Sequence, residues 1–324
     1  MAAASRKASA DLPLAVGPAI SQMRGSMELV LTLVAPPNAG AFSVNLREVF
    51  ASVGARGKES RKLDAGDGAA TDVILEADEV AAVRAALTVP MAGQKLDWCL
   101  QPLEGRRKRL LVADMDSTII DVECLDELAD FAGLKAEISA ITERAMRGEL
   151  AFEGALRERV AMLKGLPVTA LQAAYDQRVR LNPGARTLVR TMAANGARCV
   201  LVSGGFSFFT GRVAQAALFH AHRGNRLIEA DGRLTGEVAE PILGREAKLA
   251  ALQQEAAQRQ LPMSETLAVG DGANDLAMIE AAGLGVAYRA KPIVAAQADA
   301  RIEHTDLTTL LYFQGYSADT FVTD

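Results

Sequence analysis

Four aspartates in two short stretches carry the chemistry this chain can do. Asp114 and Asp116 stand in Asp114-Met115-Asp116-Ser117-Thr118, directly after the apolar run Leu110–Ala113. Asp271 and Asp275 stand in the stretch Gly270–Leu276 (GDGANDL), directly after Leu267–Val269. Two carboxylates two residues apart at the end of a buried strand repel each other if both are ionised and dry. A divalent cation removes the conflict, and an oxygen-only donor set selects a hard ion, Mg²⁺ foremost. One aspartate at a strand-to-helix turn commonly caps the helix, but four at two converging strand ends exceed what capping needs. Ser203-Gly204-Gly205 follows a third apolar run, Cys199–Val202, and offers unhindered backbone N–H groups to an oxyanion. Lys248 adds a cation that can neutralise a phosphoryl group. Nucleophile, metal site, cradle and cation are the parts of phosphoryl transfer, where positioning and charge neutralisation dominate catalysis. No GxxxxGK[ST] stretch is present, which excludes a P-loop enzyme.

The elements that must position these residues read as α/β. The three apolar runs are short, continuous and separated by helical stretches, as buried parallel strands are when helices cover both faces. A doubly wound parallel sheet follows, with its ligand at the carboxyl ends of the strands. Gly283–Ala287 reads as a fourth strand, and Leu227–Val238 as a hairpin turning at Asp231-Gly232. The stretch 121–180 is too long for a crossover and reads as a helical cap inserted in the catalytic unit, 105–324. Within it Phe152, Leu156, Val160 and Leu163 share one helical face, with Arg159 beside Phe152. Arg159 either snorkels from the edge of that face or waits for an anion; periodicity leaves both open. Residues 27–104 read as a small α+β unit. It has strands over Glu28–Val34, Thr71–Leu75 and Lys95–Leu100, and helices over Val44–Val53 and Asp78–Leu87. Residues 1–26 read as a flexible tail. The basic run Arg106–Arg109 reads as an exposed linker, and Leu311–Gly315, despite looking like part of a protease tag, as native sequence.

Composition narrows the class. The chain has 324 residues, half of them hydrophobic, which supplies two cores and excludes a disordered chain. Its net charge of −5 provides no basic field for nucleic acid. No run is long and apolar enough to span a membrane, and Asp11, Pro13 and Pro18 interrupt any secretory signal. Three cysteines spaced for neither zinc nor a disulfide framework suggest free buried thiols in a reducing cytoplasm. Three histidines are too few to favour zinc or a histidine-based triad.

Asp114–Thr118 (DMDST), Ser203–Phe206 (SGGF), Lys248 and Gly270–Leu276 (GDGANDL) resemble the four motifs of haloacid dehalogenase-like phosphatases. Over about 110–310 the likeness is to the phosphoserine phosphatases among them, and Glu123, Met146, Phe152 and Arg159 match ancillary positions. The resemblance implies hydrolysis of O-phosphoserine to serine and phosphate, the last step of serine biosynthesis. It implies that Asp114 is the nucleophile and Asp116 the general acid and base. It places Mg²⁺ on Asp114, the Asp116 carbonyl and Asp271, with Asp275 behind them. It assigns Ser203, Gly204, Lys248 and Asn274 to the phosphoryl group, Glu123 to the substrate ammonium and Arg159 to its carboxylate. Residues 27–104 resemble ACT domains in length and element order. That likeness leaves them either an amino-acid site or a packing module through which a homodimer forms. Two other functions compete: a phosphatase for a different phosphomonoester, and a non-catalytic amino-acid sensor. Glu123 with Arg159 argues against the first, and the intact acids against the second. All motifs lie beyond residue 110, so a chain beginning near Gly105 is expected to fold and work alone.

Overall fold

A computed structural model describes residues 26–37, 39, 42–64, 69–146 and 149–323. The tail up to residue 25 and the Met146 side chain lie outside the described set. The described chain opens with β1 (Met27–Val34), α1 (Leu46–Ser52), β2 (Arg56–Asp64), β3 (Ala70–Ala77), α2 (Val80–Met91) and β4 (Asp97–Pro102). The sequence reading lacks β2. Its residues Arg56–Lys62 are all exposed on the outer edge of the sheet, so they carry no apolar alternation. The four strands pair antiparallel. Leu29, Leu31, Leu75 and Leu100 pack with Phe50, Val83 and Leu87 of the two helices.

The catalytic unit follows with β5 (Leu110–Ala113) and four cap helices: α3 (Cys124–Phe131), α4 (Lys135–Met146), α5 (Phe152–Met162) and α6 (Val168–Arg178). An antiparallel bridge between Ile120 and Leu181 closes the neck of this insertion. Next come α7 (Ala185–Ala194), β6 (Arg198–Phe206), α8 (Ser207–Ala217), β7 (Ala221–Asn225), the hairpin β8 (Leu227–Ala230) and β9 (Arg233–Val238), and α9 (Arg245–Gln258). The chain continues with β10 (Thr266–Gly270), α10 (Leu276–Ala281), β11 (Leu284–Tyr288), α11 (Pro292–Gln297), β12 (Ala300–Ile302) and α12 (Thr309–Phe313). Asp231 and Gly232 both take positive φ, which lets the hairpin turn in two residues. Strands β12-β11-β10-β5-β6-β7 are parallel and adjacent in that order. Period-two alternation splits their side chains between two layers. Leu110, Val112, Val200 and Ala268 meet α9 and α10 on one face, and Leu111, Cys199, Leu201 and Leu267 meet α7 and α8 on the other. All three cysteines are buried and unpaired.

The two units are less separable than the motif positions suggest. β4 lies antiparallel to β12 through Trp98 and Arg301, giving one ten-stranded sheet, β2-β3-β1-β4-β12-β11-β10-β5-β6-β7. An apolar sheet face must be covered. Helices α1 and α2 cover one face of the N-terminal strands. On the other, Val34, Ala70 and Cys99 join the catalytic core that holds Tyr312 and Phe313. The carboxylate of buried Asp97 accepts from the backbone N–H groups of Glu303, His304 and Thr305 and from the Thr305 hydroxyl. The basic run is exposed only at Arg107 and Arg109. Arg106 is buried against Asp72 at 2.7 Å, and buried Lys108 donates to the carbonyls of Gly105 and Ser264. Leu311–Gln314 is likewise buried, at the seam between the units.

Candidate active site

The chain reverses sharply after β5. Ser117 takes a left-handed φ of 56°, its N–H bonds to Val122 O, and Ile120 N–H bonds to Met115 O. This tight loop brings Asp114 and Asp116 to the carboxyl edge of the sheet, where β6 delivers Ser203–Gly205 and β10 delivers Asp271 and Asn274. Asp114, Asp116, Glu123, Arg159, Ser203, Gly204, Asp271 and Asn274 line a single cavity of about 180 Å³, closed over by Phe152 and Leu156 of the cap. Lys248 and Asp275 lie beneath it. The Lys248 ammonium, 2% exposed, sits 2.6 Å from Asp114 Oδ1 and 2.5 Å from Asp275 Oδ1.

Asp116 is held at both oxygens: Oδ1 accepts from Cys124 N–H and Oδ2 from the Ser203 hydroxyl, each at 2.9 Å. The Ser203 hydroxyl in turn accepts from Gly205 N–H at 2.8 Å. A Cβ at Gly205 would meet Asp116 Oδ2 and Ser203 Oγ at 3.0 Å, so any larger residue would crowd the hydrogen-bonded acid and hydroxyl. Ser117 donates to Glu123 Oε1 at 2.6 Å, and Thr118 to Asp271 Oδ1 at 3.3 Å.

Charge is unbalanced here. Burial pushes the carboxyls of Asp114 and Asp116 upward, and the neighbouring Asp275 adds to the effect at Asp114. Burial followed by Asp275 raises Asp271 to about 6, and burial followed by Asp116 raises Glu123 to about 7. Burial works against the Lys248 ammonium, but Asp114 and Asp275 outweigh it and hold its pKa above the usual lysine range. Lys248 between Asp114 and Asp275, and Lys291 near Asp271, thus set two ammonium groups against the four acids Asp114, Asp116, Asp271 and Asp275. Oxygens of Asp114, Asp271 and Asp275 lie within 4.8 Å of one another. Asp275 is already committed: Oδ1 meets Lys248, and Oδ2 accepts from the N–H groups of Asp271 and Gly272. Asp114 and Asp271 are left to face a cation, an all-oxygen donor set with surplus negative charge that fits a hard divalent ion.

Arg159 is only half-buried, with Nε donating to Ala155 O at 3.1 Å and Nη1 lying 3.5 Å from the Thr142 hydroxyl. It faces the cavity, and no ion pair forms at it among the described residues. Sequence reasoning missed Ser117 and Thr118, although they directly follow Asp116, and it missed Lys291. Lys291 reaches the cavity because its N–H bonds to Asp271 O at 3.1 Å, a contact between distant segments with no local signal. A larger cavity of about 630 Å³ lies where α2 and β4 meet α11 and β12. Of its acids, Asp97 and Asp299 already accept from backbone N–H groups, so chemistry rather than volume identifies the site.

Comparison with known proteins places this geometry among phosphatases. The model of the haloacid dehalogenase-like hydrolases matches residues 111–280. A phosphoserine phosphatase of Mycobacterium tuberculosis is 40% identical over 311 residues, covering 94% of this chain and 73% of that protein. A haloacid dehalogenase family hydrolase of Salmonella enterica superposes with a TM-score of 0.78 at 28% identity, over 89% of this chain and 98% of its own. A substrate-bound phosphoserine phosphatase structure superposes with a TM-score of 0.59 at 38% identity, covering 64% of this chain and 98% of that one.

Proposed function

The chain belongs to the haloacid dehalogenase-like hydrolases, and on that premise we propose that it is a phosphoserine phosphatase, hydrolysing O-phosphoserine to serine and orthophosphate. One observation carries the reading. The same 180 Å³ cavity holds a nucleophile–acid pair, Asp114 and Asp116, and an anion–cation pair, Glu123 and Arg159. The first pair suits a phosphomonoester, and the second suits the ammonium and carboxylate of an amino acid.

The Asp114 carboxylate attacks phosphorus, and the bond from phosphorus to the serine oxygen breaks. Asp116, whose carboxyl burial pushes upward, gives a proton to that oxygen. Ser203 and the Cys124 N–H hold its two oxygens in place meanwhile. A water then attacks the phosphoryl group on Asp114, and Asp116, now a carboxylate, takes the proton. Orthophosphate leaves, and Asp114 is restored. The phosphoryl oxygens rest against Ser203, Gly204, Asn274 and Lys248. Asp114, the Asp116 carbonyl and Asp271 would hold Mg²⁺, which supplies positive charge to the phosphoryl oxygens and offsets the converging acids. Asp275 steadies this set through Lys248 and the Asp271 N–H.

Orthophosphate release with Mg²⁺ from O-phosphoserine, a sugar phosphate, a nucleotide and an aryl phosphate tests the reading. A preference for O-phosphoserine is expected. Preference for another ester would overturn the substrate, and no release from any would overturn the activity. A homodimer formed through the N-terminal unit belongs to the same proposal, and light scattering of the full chain checks it. A cytoplasmic setting, where the three buried thiols stay reduced, completes it.

A further inference from the structure

The pairing of β6 with β7 is in register at Val202↔Arg223 and resumes at Phe206↔Asn225. Ser203, Gly204 and Gly205 therefore bulge from the ladder opposite the single residue Gly224. Backbone groups released by a bulge need other partners. Asn225, 2% exposed, supplies one of them. Its Nδ2 donates to Gly204 O at 2.8 Å and to Leu243 O at 3.1 Å, while Oδ1 accepts from Leu243 N–H at 2.7 Å.

Asn225 and Leu243 are the two roots of the excursion that carries the β8–β9 hairpin, and the hairpin is stitched to the cap. Gly165 N–H bonds to Leu234 O, Val168 N–H to Gly232 O, and Leu234 N–H to Leu166 O. Phe152 of α5 also reaches this root: side chains built at Gly204 and Gly244 would lie 3.2 and 3.5 Å from its ring.

We infer that Asn225 is a positioning residue for the phosphoryl-binding bulge, pinning the Gly204–Gly205 peptide to the root of the cap-borne hairpin. The peptide unit is planar, so fixing the Gly204 carbonyl fixes the direction of the Gly205 N–H. That N–H holds the Ser203 hydroxyl, which in turn holds Asp116. A single buried amide thus sets both the oxyanion cradle and the acid. The inference rests on the phosphatase reading for what the bulge binds.

The test compares the full chain with N225D and N225A. N225D keeps the shape but removes both donors and turns a carboxylate toward two carbonyls. A misplacement of this kind costs on the order of 100-fold. We expect kcat/KM for an aryl phosphate to fall by about that factor in N225D, mostly in kcat, and the orthophosphate inhibition constant to rise in parallel. A folded variant with wild-type values of both would overturn the inference. If neither variant folds, amide exchange on the wild-type chain decides: orthophosphate should protect Gly204–Phe206 and Leu243–Gly244 together. Protection of the bulge without the root would overturn it. No turnover of any ester by the wild type would overturn the phosphatase reading instead, and orthophosphate binding by direct titration would still test the clamp.

Discussion

Arg159→Ala removes the guanidinium that α5 brings to the cavity. Nε is committed to Ala155 O, and Nη1 lies near the Thr142 hydroxyl at the limit of hydrogen bonding, so only part of the fork is left for a ligand. Burial depresses the arginine's proton affinity, although Asp126 and Glu123 oppose the effect, so the site is partly shielded from water. One charge-assisted contact in such a site is worth about 2–3 kcal/mol, or roughly 30- to 150-fold in kcat/KM. That loss should fall on O-phosphoserine, whose carboxylate needs the partner. An aryl phosphate lacks the carboxylate and should keep nearly its full rate, so the ratio of the two kcat/KM values changes by the same factor. Steady-state kinetics on both substrates reads it. An equal loss on both would refute the reasoning and assign Arg159 to the packing of the cap, the snorkelling alternative.

Other consequences can be checked independently. Asp114→Asn removes the attacking charge and one face of the cation site, so turnover should drop by several orders of magnitude while the melting transition persists; a variant keeping a tenth of the activity would contradict the covalent route. Glu123, raised to about 7, must be ionised to hold an ammonium, so KM for O-phosphoserine should climb as pH falls through 7 while that of an aryl phosphate stays level. Because Glu123 and Asp271 titrate above ordinary carboxylates when folded, the metal-free folded state binds more protons than the unfolded chain between about pH 4.5 and 7. Its stability should therefore decline as pH rises across that window, and greater stability at pH 8 than at pH 5 in denaturant titrations would be the contrary outcome. Asp97→Ala takes the shared carboxylate acceptor from three N–H groups at the seam. Hydrogen bonds to a charged group are worth about 1.5–3 kcal/mol each when buried and less here, where the donors are partly exposed, so the melting temperature should fall without a change in KM. A chain beginning at Gly105 should behave the same way, because it uncovers β12 and the apolar side of α12; an unchanged melting temperature would show the units to be independent after all.

The sequence by itself determined the chemistry and the sheet that bears it. Buried parallel strands are continuous apolar runs, and Asp114 and Asp271 follow two of these runs within two residues. Both the strand and the group it aims are therefore written in one local stretch, as at Leu110–Asp116 and Leu267–Asp271. The cap was legible for the same reason: the spacing of Phe152, Leu156 and Val160 is a property of one helix. Tertiary structure alone decided the rest. Edge strand β2 has one partner and seven consecutive solvent-facing residues, so no pattern marks it. The burial of Arg106 depends on Asp72, and the joining of the two sheets depends on Asp97 meeting residues 303–305. Lys291 reaches the cavity, and Asn225 reaches Gly204, only because separate strand ends converge on one edge. Such contacts join residues far apart in the chain, where no periodicity or spacing can encode them. They exist only once the apolar faces have packed.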